Sequence, residues 1–169
     1  MTQILALDTS LSKSGWAVIS VTDRKPTVID YGLIKTDAKL TDGERLRQIV
    51  DGINTILAEY PNIDRTIPRE EGMVFGFPTA TKQIFKAHGS TEYALADYEI
   101  ADVNIQSVKA WATKVTGVKA KGSKETKANV EQAVKQTLGL SEIKNNAGGD
   151  VSDSIGVGIV YLKRIGAID

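Results

Sequence analysis

The sequence has no cysteine and only one histidine, His88. Disulfides and thiolate metal sites are therefore excluded, and any bound metal must sit on oxygen atoms or on His88. No apolar run approaches the roughly 20 residues of a membrane span, and Met1 to Asp8 lacks the basic start and apolar stretch of an export signal. A soluble, cytoplasmic protein is expected. Prolines number only four, and no repeat or low-complexity linker interrupts the chain. With 169 residues, 41% of them hydrophobic, residues 1–169 are expected to form a single domain around one core.

Charge of one sign is also lacking, since 21 basic residues balance 21 acidic ones. A neutral total argues against a uniformly basic surface for nucleic acid. The distribution is uneven, however: seven lysines between Ile105 and Gln136 (109, 114, 119, 121, 124, 127 and 135) face only Glu125 and Glu131, a surplus of five. This pattern suits either a solvated pair of lysine-rich helices or one basic face beside a pocket of carboxylates.

Hydrophobic periodicity predicts the order βββαβαβ followed by three helices. Gln3 to Asp8 is a nearly continuous apolar run ending in one acid, as in a strand buried on both faces. Gly15 to Val21 and Thr27 to Thr36 make two further strands around a turn at Asp23 to Pro26, so three antiparallel strands open the domain. Thr41 and Glu44 have capping-box spacing ahead of a helix that ends before Pro61. Ile63 to Glu70 is the fourth strand, with Pro68 an awkward member because proline gives no amide hydrogen to a ladder. Pro78 opens a helix to about Asp97, and Ile100 to Ile105 is the fifth strand. Ser107 is expected to cap a short helix stopped by Gly117, and a second helix runs from Ser123 to Leu138 with Gly139 as its stop. Asn145 to Gly149 reads as a flexible turn before a last helix from Asp150 to about Ile165.

Four acids stand out against this frame. Asp8 ends an apolar strand, where a carboxylate loses hydration unless it meets water, a donor or a metal, and a strand's carboxyl end is where open α/β sheets bind ligands. Asp150 and Asp153, at i and i+3, share one helix face and can clamp one ion; equally, acids favour a first helical turn for the sake of its dipole. Glu70 or Glu71 ends the fourth strand, next to the first, and alternation lets only one of the two point towards Asp8. Four clustered carboxylates raise one another's pKa values and cost stability unless a cation joins them. Oxygen-only ligands select Mg2+, with Mn2+ as a substitute. Two such ions about 4 Å apart would serve phosphodiester hydrolysis without a histidine base. His88 reads as a partly buried helix residue rather than a catalyst.

The arrangement resembles the RuvC family of Holliday junction resolvases over nearly the whole chain. Ile4-Leu5-Ala6-Leu7-Asp8, Leu11 and Ser14-Gly15-Trp16-Ala17-Val18-Ile19 resemble its first strand, loop and second strand. Glu70, followed nineteen residues later by the glycine of Lys86-Ala87-His88-Gly89, is similar to its second motif, which selects Glu70 over Glu71. Val115-Thr116-Gly117, Gly122-Ser123 and Lys127 resemble its basic segment, and Gly149 to Ile155 its final aspartate pair.

The resemblance implies a ribonuclease-H-like α/β fold with a mixed five-stranded sheet flanked by helices. It also implies a homodimer with two active sites that makes paired Mg2+-dependent nicks in four-way DNA junctions, with Asp8, Glu70, Asp150 and Asp153 as catalytic metal ligands. Lys109 and Lys127 would contact backbone phosphate; Lys114 and Lys124 join them on charge alone. The sequence departs from the family in having Thr9 and Ser10 where a proline and glycine usually follow the first aspartate. The aromatic residue usual after the glutamate is displaced, leaving Met73 and Phe75 as candidates. These departures look closer to the phage-borne branch than to the bacterial housekeeping one. Two other readings fit parts of the pattern: a junction-binding architectural protein without turnover, and an actin-like phosphate-binding domain, which 169 residues are too few to complete.

Overall fold

The computed structural model describes residues 2–72 and 78–169. Met73 and Phe75 lie outside the described residues. The elements follow the order β1 (Thr2–Asp8), β2 (Lys13–Thr22), β3 (Lys25–Lys35), α1 (Asp42–Glu59), β4 (Thr66–Glu70), α2 (Pro78–Ala94), β5 (Glu99–Val103), α3 (Ile105–Thr116), α4 (Gly122–Leu138) and α5 (Asp150–Arg164). The strands form one sheet in the order β3-β2-β1-β4-β5, with β1, β2 and β3 antiparallel and β4 and β5 parallel to β1.

Strand β1 is central because both its faces are apolar. Ile4 packs into a cluster with α3, α4 and α5, whereas Leu5 and Leu7 join a second cluster with α1 and α2. The sheet is thus covered by helices on both sides, the arrangement that buries a mixed sheet. By the same alternation Asp8 falls on the face of Ile4, where α5 lies. No helix among the described residues is long and apolar enough to cross a membrane.

Helix α5 approaches the sheet closely because glycines admit it. A methyl group on Gly15 would stand 2.0 Å from the Asp150 carbonyl oxygen, and one on Gly158 would stand 2.6 Å from the Ile19 side chain. Gly15 is the register partner of Asp8, so its missing side chain sets the start of α5 beside the end of β1.

Several boundaries differ from the sequence reading. Asn104, not Ser107, caps α3, its side chain accepting from the Gln106 amide at 2.8 Å; strand β5 ends two residues earlier than expected and releases Asn104 for that role. Strand β4 begins at Thr66 rather than Ile63, and Pro68 sits buried within it. Its ladder to β1 is reduced to the pair Leu7 and Arg69, and Pro68 supplies no amide hydrogen to either neighbour. The Thr41–Glu44 capping box forms as expected, and Gly117 and Gly139 end their helices in the left-handed conformation.

Candidate active site

Asp8 at the end of β1, Glu70 at the end of β4, and Asp150 and Asp153 in the first turn of α5 line one cavity of about 870 Å3. Lys109 from α3 and Lys127 from α4 line it as well. Lys114 and Lys124 are exposed and do not line it. Glu71 faces the other side of the sheet, where its carboxylate accepts from the Asn104 side-chain amide at 3.0 Å.

Charge in this cavity is poorly compensated. Burial, then repulsion from Glu70, Asp153 and Asp150, holds the Asp8 carboxyl well above the usual carboxylate range, against an opposing pull from Lys127. Burial raises the Glu70 pKa as well, with the neighbouring Asp8 carboxyl, Lys109 and Lys127 restraining it. Burial likewise pushes Asp153 up to about 7, with Lys127 lowering it and Glu70 and Asp150 raising it. Lys127 Nζ lies 3.6 Å from Asp150 Oδ1 and donates to the Gly148 carbonyl.

Among the described residues no group of three or more His, Asp or Glu side chains is already arranged to hold a metal ion, although four acids line this one cavity. The donor chemistry nevertheless fits a hard divalent cation: four carboxylates, no nitrogen or sulfur ligand, and Asp8 and Asp153 both favouring the proton over the bare charge. His88 stands apart on α2. It is buried, Nε2 has no partner among the described residues, and burial followed by Arg69 lowers its pKa to about 4.

Three features of the site escaped the sequence reading. The segment Asn145 to Gly149 is not free, because Asn146 accepts from the Ser152 amide at 2.9 Å and donates to Glu131 and Ser152, fixing the start of α5. An Asn placed just ahead of an acid-rich first turn was the available signal. Ser10, Ser123 and Thr126 also line the cavity, adding hydroxyl donors near the lysines. Arg69, whose alternation with Glu70 places it on the far face of β4, is buried and gave no local signal at all.

Comparison with known proteins bears on this geometry. The model of the family described as crossover junction endodeoxyribonuclease RuvC matches residues 4–161. The chain belongs to the RuvC family. A RuvC from Treponema denticola is 29% identical over 144 residues, covering 83% of this chain and 75% of that protein. One from Paramagnetospirillum magneticum is 32% identical over 87 residues, about half of each chain (52% and 51%). Among solved structures, T. thermophilus RuvC in complex with a Holliday junction substrate matches with a TM-score of 0.78 at 17% identity, over 98% of both chains. The fowlpox virus resolvase with its Holliday junction DNA matches at 0.58 and 15% identity, over 97% of this chain and 99% of that one. These structural matches establish the ribonuclease-H-like α/β fold, and RuvC membership makes the chain a junction-resolving endonuclease.

Proposed function

We propose that this RuvC protein resolves four-way and related branched DNA junctions by Mg2+-dependent phosphodiester hydrolysis, acting as a homodimer with one active site in each subunit's single domain. The observation that carries the reading is the meeting of four carboxylates and two lysines in one cavity. Asp8, Glu70, Asp150 and Asp153 would hold one or two divalent ions, Mg2+ or Mn2+, which when bound supply an acidified water and charge stabilisation at the leaving oxygen.

The chain's own groups do the rest. Lys109 and Lys127 hold the phosphodiester against the acids, because an ammonium at the rim offsets phosphate charge that carboxylates would repel. Lys114 and Lys124, exposed outside the cavity, extend the basic track towards more distant phosphates. Support for pairing of subunits comes from α2, which exposes Phe85 and Tyr93 on one helical stripe with Gly89 between them, where added bulk would meet nothing.

The alternative is a junction-binding protein without turnover, in which the lysines grip phosphate and the carboxylates recruit no ion. One experiment separates them: labelled four-way junction is incubated with the purified protein in Mg2+ and in EDTA. Paired nicks in Mg2+ alone are expected. Equal products in both lanes would remove the metal-dependent mechanism, and binding without products in either lane would establish the architectural alternative.

A further inference from the structure

We propose that Arg69 is a positioning residue for junction cleavage, fixing Glu70 at the active site by clamping β4 to β5 from the opposite face of the sheet. The inference rests on the nuclease reading above.

Arg69 is a costly residue where it stands. Its side chain is 5% exposed, and a buried cation loses hydration that only good pairing restores. Pairing is supplied: Nε and Nη2 both donate to Asp102 Oδ1, at 3.1 and 3.0 Å, while Nη2 also reaches Glu92 Oε1 at 3.3 Å and Nη1 the His88 carbonyl at 3.5 Å. A well-packed apolar side chain would meet the demands of stability at least as well, so an ion pair here is better explained by the geometry it imposes.

That geometry is needed beside Glu70. Strand β4 has five residues, one of them a proline, and is registered to β1 through a single pair. Just beyond Glu70 the chain turns through Gly72 at φ +69°. Backbone hydrogen bonds alone therefore hold the strand end weakly against β1, although Glu70 must meet Asp8 there. Asp102 lies directly across from Arg69 in β5, and Val103 across from Glu70, so the ion pair pins β4 one residue before its functional carboxylate. A displacement of about 1 Å at such a group costs up to about 100-fold in rate.

The two partners of Arg69 are unequal, and this gives the test. Asp102, on the neighbouring strand, takes two of its nitrogens; Glu92, on α2, takes one at longer range and is more exposed. Arg69→Met, Arg69→Lys, Asp102→Asn and Glu92→Gln are compared by single-turnover cleavage at saturating enzyme, junction Kd in EDTA, Mg2+ concentration for half-maximal rate, and melting temperature. Arg69→Met and Asp102→Asn are expected to cut about tenfold more slowly with unchanged Kd and a several-fold higher Mg2+ requirement, with Arg69→Lys recovering part of the rate. Glu92→Gln is expected to cleave like the parent even where its melting temperature falls. Parental rates and Mg2+ dependence in Arg69→Met and Asp102→Asn would overturn the proposal, as would rate losses that follow melting temperature across all four variants. If Arg69→Met does not fold, the contrast of Asp102→Asn with Glu92→Gln decides alone. Failure of the parent protein itself to cleave would strike the nuclease reading instead.

Discussion

Strand β4 separates two acidic clusters built on neighbouring residues, and they solve the problem of like charge differently. On one face Glu71, Glu92 and Asp102 line a pocket that also holds Arg69, a buried guanidinium bonded to two of them. On the other, Glu70 joins Asp8, Asp150 and Asp153, where the cations are Lys109 and Lys127, the latter half-exposed at the rim. The first cluster carries its cation within the fold. The second leaves Asp8 and Asp153 favouring protonation, because burial and then neighbouring carboxylates penalise their charged forms, a penalty that an external cation can relieve. Uncompensated charge, more than the number of acids, distinguishes a site for chemistry from a structural ion pair.

The sharpest way to break this comparison is to delete a carboxylate on each side. Asp8→Asn should lower single-turnover cleavage by on the order of a thousandfold or more, equivalent to about 4 kcal/mol of transition-state stabilisation, while junction affinity in EDTA stays within about threefold. Its melting temperature should hold or rise, because the change removes repulsion. Glu92→Gln across the sheet should leave the rate nearly unchanged. Comparable loss in both variants would erase the distinction.

Acid and base titrations should sharpen it, because the two faces predict opposite slopes. Asp153 titrates near 7 in the fold against 3.8 ordinarily, so between those values the unfolded chain binds fewer protons than the folded one. Through Asp153 alone, metal-free protein must then lose up to about 4 kcal/mol of stability as pH rises from about 4 to 7. Mg2+ should restore it at pH 8, and Asp153→Asn should reduce the effect, leaving the part that the raised Asp8 and Glu70 contribute; a metal-free melting temperature that rises over this window in His88→Gln would contradict it. His88 behaves in reverse. Its folded pKa of about 4 lies below the ordinary 6.5, so its contribution is complete above pH 6.5 and disappears as pH falls through 4, at most about 3 kcal/mol. The two slopes oppose each other between about pH 4 and 6.5, and denaturant melts of Asp153→Asn and His88→Gln separate them. Identical profiles in His88→Gln and the parent would show that the ring is not held neutral by the fold.

What could be read from the sequence followed the range of the interactions. The apolar run before Asp8, the Thr41–Glu44 box and the stops at Gly117 and Gly139 are local signals, and each formed where expected. The end of β5 was misjudged because Asn104 and Ser107 are both good caps, and the choice depends on where strand pairing stops. Gly15 was visible as a glycine, but its need arises from the approach of Asp150 late in the chain. Arg69 was illegible for the same reason, since its partners lie 23 and 33 residues away. Within the acidic site, strand ends and helix turns marked where the carboxylates stand, whereas the burial that raises the Asp8 and Asp153 pKa values arises only when distant elements pack together.

The smallest expected effect concerns the rim cation. Lys127 donates to the Gly148 carbonyl and forms an ion pair with Asp150 at 3.6 Å, so in the free protein its ammonium partly serves the acids. DNA phosphate competes for the same group. If the ammonium transfers to phosphate on binding, Lys127→Ala should weaken junction binding only several-fold near 0.1 M salt, and should flatten the plot of log affinity against log salt by about one unit. Lys114→Ala, on an exposed residue away from the cavity, should give a comparable change in slope with no loss of cleavage rate at saturation. An unaltered salt slope in Lys127→Ala, together with slower cleavage, would mean that this lysine stays with Asp150 when DNA binds, and that the compensation absent from the acidic face is partly built in after all.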